Sequence, residues 1–286
     1  MRRVSSLTSG LAYQDFTMLV DCHVHLDAFP TDEVSQILKR ARDADVGFVI
    51  SAGTTLESSR RSVELSAMFP DLFSGVGIHP MDIREPFSNQ TYEQLRLLVE
   101  STEKALVISE IGLDFMEGAP ERPLQYQAFR EQIRLARELR LPIVFHSREA
   151  HEEVLRVLRE ERAYEVGGIM HYFQGDEATA RKAMDLGFHI SLARTLLRLP
   201  HLQKIAATLP LDKVVLETDT APQPFKAKRE NWTEPRHLGA IAEKLAALQG
   251  KTVEEVEAVT TGNIQGLLGA RWDAVQVSLG EAATEL

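Results

Sequence analysis

Short apolar runs recur along this chain, and a segment with helical spacing follows each of them. The eight runs cover residues 18–25, 46–51, 73–78, 105–110, 142–146, 168–171, 188–192 and 214–219. The second run, VGFVIS at 46–51, is a short continuous apolar run, which is typical of a parallel strand buried on both faces. The helical segments cover about 32–45, 57–69, 91–102, 121–140, 149–162, 176–186, 200–208, 234–249 and 252–268. Eight such units over roughly 250 residues predict an α/β fold, a single (β/α)8 TIM barrel.

The same alternation would also fit a doubly wound sheet, but that fold calls for a glycine-rich first turn. The first strand here ends instead in a His-x-His pair, and no Pro/Gly/Ser-rich linker divides the chain. We therefore predict one domain over residues 18–270. Residues 1–17 are expected to form a loose leader, with Met18 as an alternative start, and residues 271–286 a polar tail.

The composition excludes several classes of protein. With 32 basic and 42 acidic residues the net charge is −10, so the chain lacks the broad basic surface of a non-specific duplex binder. Its single cysteine excludes an internal disulfide and predicts a reducing, cytoplasmic location. No run approaches the roughly 18 apolar residues of a membrane helix. Neither membrane association nor an obligatory protein partner is predicted.

The first strand ends in two histidines that share a face. Asp21, His23 and His25 occupy alternate positions, so their side chains should point to one side of the strand. Cys22 and Val24 should point to the other side, which predicts an inert thiol packed against the helix layer. Two imidazoles at this spacing can reach one metal ion, although a solvated strand end gives the same pattern.

Further metal-ligating side chains stand at the ends of other predicted strands. They are Glu110 after the fourth run, His146 after the fifth, His171 after the sixth and Asp219 after the eighth. The carboxyl ends of barrel strands form one rim, so these four should meet His23 and His25 there. Other histidines, His151, His201 and His237, are scattered over helices or loops, as chance placement would leave them.

Six ligands exceed the needs of one tetrahedral zinc and predict two divalent ions bridged by Glu110. Two such ions outweigh the charges of Glu110 and Asp219, so the site should attract an anionic substrate. A pair of metals activates water and stabilises the attacking and leaving oxygens of a phosphate ester. Asp219 is the candidate for holding that water and taking its proton. The metal stays open among zinc, magnesium, manganese and nickel.

Six segments of the sequence together resemble the TatD-type metal-dependent deoxyribonuclease family, a branch of the amidohydrolase-like barrels. The segments are 21–27 (DCHVHLD), 77–80 (GIHP), 110–114 (EIGLD), 146–150 (HSREA), 171–175 (HYFQG) and 217–219 (ETD). They follow the family's order over residues 18 to about 268. The resemblance implies a hydrolase that cleaves phosphodiester bonds of DNA, at ends or in single strands. It also implies that the metal ligands are His23, His25, Glu110, His146, His171 and Asp219.

Three positions depart from the family's pattern. Ser109 stands where a glycine is usual, the segment after Asp219 is one residue longer than Asp-x-Pro, and residues 231–235 read NWTEP. The last two lie where substrate would enter, so the substrate stays open. The alternatives are a metal-dependent esterase or amidohydrolase, such as a D-aminoacyl-tRNA deacylase, and a catalytically silent metal-binding scaffold.

Three residues are candidates for substrate binding, each with a structural alternative. His79 either contacts substrate or shapes the turn before Pro80. Arg148 either binds a phosphate or pairs with a neighbouring glutamate, Glu149 or Glu152. Lys226 belongs to a small basic cluster that forms either a phosphate-contacting lid or a solvated loop.

Two carboxylates are candidates for supporting the ligands. Asp21 either orients a histidine or caps the strand end, and Glu217 either supports the site or forms a buried salt bridge. Aromatic side chains near the strand ends either stack on nucleobases or close the barrel. They are Tyr172, Phe173, Phe225 and Trp232.

Overall fold

The computed structural model describes residues 18–284, and its eight strands form one parallel sheet in chain order. The strands are β1 (Leu19–Val24), β2 (Val46–Ala52), β3 (Leu72–Val76), β4 (Ala105–Asp114), β5 (Ile143–Arg148), β6 (Gly168–Met170), β7 (His189–Leu192) and β8 (Val214–Leu216). A parallel bridge between Val24 and Thr220 joins the first strand to the segment after the last. The predicted (β/α)8 barrel is confirmed.

Helices follow the strands and surround the barrel. They are α1 (Thr31–Arg42), α2 (Leu56–Met68), α3 (Asn89–Glu100), α4 (Arg122–Leu139), α5 (His151–Glu160), α6 (Glu177–Asp185), α7 (Pro200–Ala206), α8 (Leu238–Gln249), α9 (Val253–Leu268) and α10 (Trp272–Thr284). Local sequence defines several of their ends; Thr252 and Glu255, for example, form a capping box at the start of α9. Within residues 18–284, no helix combines the length and the apolar character that crossing a bilayer requires.

The hydrophobic core has two parts. The larger part lies between the strands and the helices, and it includes Leu19 of β1 and Ile37 of α1. The smaller part fills the barrel interior, because it joins inward side chains of nearly every strand, such as Phe48 and Phe73. Most of these strand residues belong to the amino-terminal halves of their strands. The carboxyl-terminal halves are left for polar side chains.

Helix α10 corrects the expectation of a polar tail after residue 270. Trp272 is only 6% exposed, and it packs with Val275 against the inner core at the amino end of the barrel. The side chain of Arg271 binds Glu103 at 2.6 Å, and Ser278 Oγ donates to the Pro70 carbonyl at 2.7 Å. The few apolar residues of this helix cover the open end of the barrel interior, which the local sequence does not reveal. The predicted leader, residues 1–17, lies outside the described residues.

The expected orientation of Cys22 is also wrong. The register of β1 against β2 shifts between Asp21 and Val24, so strict alternation of side chains is lost. Cys22 belongs to the inner core, and its Sγ lies 3.6 Å from Ser191 Oγ rather than in the helix layer. Burial raises the pKa of this thiol well above its usual value, so it stays protonated.

Candidate metal centre

Glu110 lies at the centre of a ring of histidines at the carboxyl rim of the barrel. Its Oε2 is 3.3 Å from Nε2 of His23 and 3.6 Å from Nε2 of His25. Its Oε1 is 3.1 Å from both His146 Nδ1 and His171 Nε2. Each carboxylate oxygen therefore faces different imidazoles, although the side chain is only 4% exposed.

Two features of β4 bring Glu110 to this position. The strand runs four residues beyond its predicted end, to Asp114, and its register against β5 shifts between Ile108 and Ile111. Gly112 has a φ of 143°, and a Cβ there would lie 2.1 Å from the His146 carbonyl oxygen. Only glycine permits this close approach of the two strands, which sets His146 beside Glu110.

Asp219 closes the ring from the segment after β8. Its Oδ1 lies 3.4 Å from Nε2 of His25, and its side chain is 30% exposed, so it is the more open of the two central carboxylates. Its N–H donates to the His23 carbonyl at 3.1 Å, which fixes it against β1. Asp219 and Tyr172 both have a positive φ, of 53° and 48°. Such strained backbone in non-glycine residues concentrates at functional sites.

The electrostatics of the ring suit a cation. Burial opposes ionisation of Glu110, but the surrounding imidazoles, His171 foremost, hold its pKa well below the usual value. Burial likewise opposes ionisation of Asp219, yet its hydrogen bond to His25 lowers the pKa to about 2. Both carboxylates are therefore charged at neutral pH. The Nε2 atoms of His23 and His25 lie only 3.3 Å apart. Imidazole nitrogens and carboxylate oxygens are common ligands of divalent metal ions.

Three overlapping groups of side chains are compact enough to hold a metal ion. They are His23 with Glu110 and His171, His23 with His25 and Asp219, and His79 with Glu110 and His146. Within each group, the ligand atoms lie within 4.8 Å of one another. All six side chains predicted as ligands are thus brought together, and His79 joins them.

His79 lies deeper in the site than its prediction as a substrate contact implies. Its Nε2 is 3.4 Å from Glu110 Oε1, so it belongs to the ring itself. Its Nδ1 accepts a hydrogen bond from the N–H of Met81 at 3.1 Å. The same side chain therefore shapes the turn at Pro80 and faces the central carboxylate.

Arg148 pairs with Asp114 and not with either of the glutamates considered from the sequence. Its Nε and Nη2 lie 2.7 Å and 2.5 Å from Asp114 Oδ2. The same oxygen is 2.8 Å from Nε2 of His146, whereas the other ring nitrogen of that imidazole, Nδ1, faces Glu110. Sequence reasoning missed Asp114 because it ended the fourth strand at Glu110. The paired alignment of Asp114 with Arg148 in β4 and β5 explains the contact.

Glu217 stands behind His171 in the same way. Its Oε1 is 3.1 Å from His171 Nδ1 and accepts from the N–H of Tyr172 at 2.7 Å. Its Oε2 accepts from Ser191 Oγ at 2.6 Å. These contacts match the supporting role considered for Glu217, in which a buried carboxylate fixes the orientation of an imidazole.

Asp21 has different neighbours. Its Oδ1 accepts from the N–H of Thr218 at 3.0 Å, and its Oδ2 accepts from Thr218 Oγ1 at 2.5 Å. Within residues 18–284, its hydrogen-bond partners are backbone and hydroxyl groups rather than a histidine ring. The contacts with Thr218, in the segment after β8, therefore favour the strand-end cap for Asp21.

The ring opens into a cavity of about 550 Å³. Its wall includes His25, His79, Glu110, His146, Arg148, His151, Tyr172, Gln174 and Asp219. His151 lies on a helix as expected, but α5 begins at the rim, so its first residue also faces the cavity. Ser147 Oγ lies 2.7 Å from His151 Nδ1. Lys226 is not in this wall; its Nζ donates to the Asn231 carbonyl at 3.0 Å in the loop after β8.

A (β/α)8 barrel with histidines and carboxylates gathered at its carboxyl rim defines the class of metal-binding barrel enzymes. The particular family follows from comparison with known proteins. The model of the family described as TatD related DNase matches residues 20–269. This chain belongs to the TatD family of metal-dependent hydrolases, as the resemblance of its motifs predicted.

Relatives and a solved structure agree with that membership. The uncharacterized metal-dependent hydrolase YabD of Bacillus subtilis (strain 168) is 33% identical over 87% of this chain and 98% of its own length. The 3'-5' ssDNA/RNA exonuclease TatD of Erwinia amylovora is 31% identical over 82% of this chain and 93% of its own. The crystal structure of YJJV, a TatD homolog from Escherichia coli K12, has a TM-score of 0.80 and 27% identity. The match covers 88% of this chain and 98% of the homolog's chain.

Proposed function

We propose that this chain is a metal-dependent deoxyribonuclease that hydrolyses phosphodiester bonds of DNA, at an end or in a single strand. The observation that carries the proposal is the position of Glu110, whose two oxygens face separate groups of histidines, two at Oε2 and three at Oε1. That arrangement suits a carboxylate shared by two divalent ions. The ligands would be His23, His25, Glu110, His146, His171 and Asp219. Such ions lower the pKa of water and offset the negative charge of a phosphate ester.

Asp219 is assigned as the residue that holds the attacking water and accepts its proton. Both carboxylates line the cavity, but the ionised Asp219 side chain is 30% exposed, whereas Glu110 is only 4% exposed. A charged acceptor at hydrogen-bond distance from water needs no further activation. We assign Glu110 to the catalytic centre as the bridging carboxylate.

Arg148 and His79 are assigned to substrate binding. The Arg148 side chain is 46% exposed, lines the cavity and is fixed by Asp114 through two of its nitrogens. A guanidinium has five N–H donors in a rigid plane, so others are free to bind phosphate oxygens. His79 shares the cavity wall and would contact the same phosphate or its ion.

Charge and similarity both support a polyanionic substrate. The bound ions would make the cavity positive within a chain of net charge −10. The Erwinia amylovora relative is named as an exonuclease of single-stranded DNA and RNA. We expect one of magnesium, manganese, zinc or nickel to serve as the metal. A cytoplasmic location remains a prediction from the single cysteine, and we predict no obligatory protein partner.

The experiment compares substrates on metal-stripped protein reloaded separately with Mg²⁺, Mn²⁺, Zn²⁺ or Ni²⁺. The substrates are end-labelled single-stranded DNA, blunt duplex DNA and a D-aminoacyl-tRNA. We expect metal-dependent shortening of the DNA. Deacylation without DNA cleavage would replace the proposal with the esterase alternative. Stoichiometric metal binding without turnover of any substrate would favour a silent scaffold.

A further inference from the structure

Three cations lie on the loops after β7 and β8 beside the cavity, and none of them has a carboxylate partner among residues 18–284. They are Arg194, Arg198 and Lys226. Arg194 Nη1 donates to Thr233 Oγ1 at 3.1 Å, and Lys226 Nζ donates to a carbonyl at 3.0 Å. Arg198 is exposed. In an acidic protein, cations left without counter-charges are available for an anionic ligand.

A hydrogen-bond framework holds two of these cations on the same pair of loops. Gln223 Nε2 donates to Thr233 Oγ1 at 3.2 Å, the same hydroxyl that binds Arg194. The N–H of Thr233 donates to Gln223 Oε1 at 2.9 Å, and the N–H of Lys226 donates to the Gln223 carbonyl at 2.9 Å. Partial burial and the charges of Arg194 and Arg198 lower the pKa of Lys226. The positive charges of Arg194 and Arg198 therefore act on the Lys226 ammonium group.

This group borders the cavity. Arg194 and Arg198 follow directly after the carboxyl end of β7, which ends at Leu192. Lys226 lies in the segment after β8, which also carries Asp219 of the cavity wall. The neighbouring Arg229, by contrast, is neutralised by Glu33 and Glu234.

Phe225 is the aromatic side chain that accompanies these cations. It is 81% exposed and immediately precedes Lys226. Of the other aromatic candidates, Phe173 is buried, Trp232 packs against Phe29, and Tyr172 lines the cavity itself. Exposed aromatics next to cations are typical of sites that bind single-stranded nucleic acid, because bases stack on the ring while phosphates contact the charges.

We propose that Arg194, Arg198, Phe225 and Lys226 form a strand-binding surface for the part of a single-stranded polynucleotide that lies outside the metal centre. The inference rests on the proposed function, in which the end of the strand enters the cavity and reaches the metal centre. The cations bind backbone phosphates and Phe225 stacks on a base. The surface therefore selects polynucleotides over small phosphodiesters.

Binding is measured separately from cleavage. Fluorescence anisotropy follows a labelled oligothymidylate binding to metal-stripped protein in EDTA, at several salt concentrations. Phe225→Ala should weaken binding by about 5- to 100-fold, the range for one stacked base. Arg198→Ala and Lys226→Ala should each reduce the slope of log affinity against log salt by about 1. Leu97→Ala and Arg60→Ala, at exposed positions on outer helices, serve as matched controls and should bind as wild type.

The outcomes separate this inference from the proposed function. Loss of binding in the surface variants but not in the controls supports the strand-binding surface, whether or not the loaded enzyme cuts DNA. In that case, failure to cut DNA overturns the nuclease proposal alone. Wild-type protein that binds no oligonucleotide, or surface variants that bind like wild type, overturns the surface even if DNA is cleaved. Thermal melting confirms that each variant is folded. With the metal restored, the KM for a small chromogenic phosphodiester should not change.

Discussion

Asp114 Oδ2 lies 2.8 Å from Nε2 of His146 and 2.7 Å from Nε of Arg148. One buried oxygen thus connects an imidazole of the ring to a guanidinium of the cavity wall. Burial opposes ionisation of Asp114, but His146 and Arg148 hold its pKa well below the usual value. The carboxylate is therefore charged, and it fixes both neighbours from behind.

Replacing Asp114 with alanine should weaken metal binding. His146 would lose the partner that orients its ring, and such losses typically cost about 10- to 100-fold in metal affinity or activity. Isothermal titration of the stripped variant with Mn²⁺ measures the affinity directly. Arg148→Ala is the matched comparison, because it should raise KM for a phosphodiester while leaving metal affinity near that of wild type. Unchanged metal affinity in Asp114→Ala would refute the positioning role.

Asp219→Asn should abolish most of the turnover without unfolding the protein. The amide keeps the size of the side chain but cannot accept the proton of the attacking water, which should lower kcat by about 100- to 10,000-fold. His25→Ala should also abolish turnover, through loss of a ligand. His201→Ala changes an exposed histidine outside the site and should keep full activity. Full activity in Asp219→Asn would contradict its assigned role.

Trp272→Ala should destabilise the barrel while sparing the site. The indole is buried against the inner core at the amino end, so its removal leaves a cavity that costs about 3–5 kcal/mol. Urea unfolding gives the change in free energy of unfolding, and activity is measured well below the melting temperature. Val277→Ala removes a 60% exposed side chain of the same helix and should change stability little. Equal stability of the two variants would show that α10 does not close the core.

Lys104 should make stability depend on pH in the alkaline range. It is half-buried, its Nζ donates to the Phe69 carbonyl at 2.6 Å, and burial lowers its pKa from 10.5 to about 8. Between those values the unfolded chain binds the proton and the folded chain does not, so unfolding becomes more costly as pH rises. Allowing for solvent screening, the gain is about 1 kcal/mol. Urea unfolding gives the free energy of unfolding below pH 8 and near pH 10. Between these two pH values it should rise by this amount more in wild type than in Lys104→Met. An identical pH dependence in both proteins would contradict it.

The sequence was most informative where residue pattern alone decides structure. Eight apolar runs determine eight buried strands, and the polar residue that ends a run, such as His146 or Asp219, falls at the rim. The sequence was less informative where contacts between distant segments determine the structure. The extension of β4 to Asp114 depends on pairing with β5, and the inward turn of Cys22 depends on a register shift. Helix α10 is held by the open end of the barrel, which no local pattern records.

Titrating metal-stripped protein with Mn²⁺, while following cleavage of an end-labelled single-stranded oligonucleotide, tests the role of the metal centre most directly. We predict no product without metal, full activity once Mn²⁺ has filled the site around Glu110, and no activity at any Mn²⁺ concentration in Asp219→Ala. An oligonucleotide that stays intact at every metal concentration would contradict the proposed function. So would cleavage that is unaffected both by removal of the metal and by loss of Asp219.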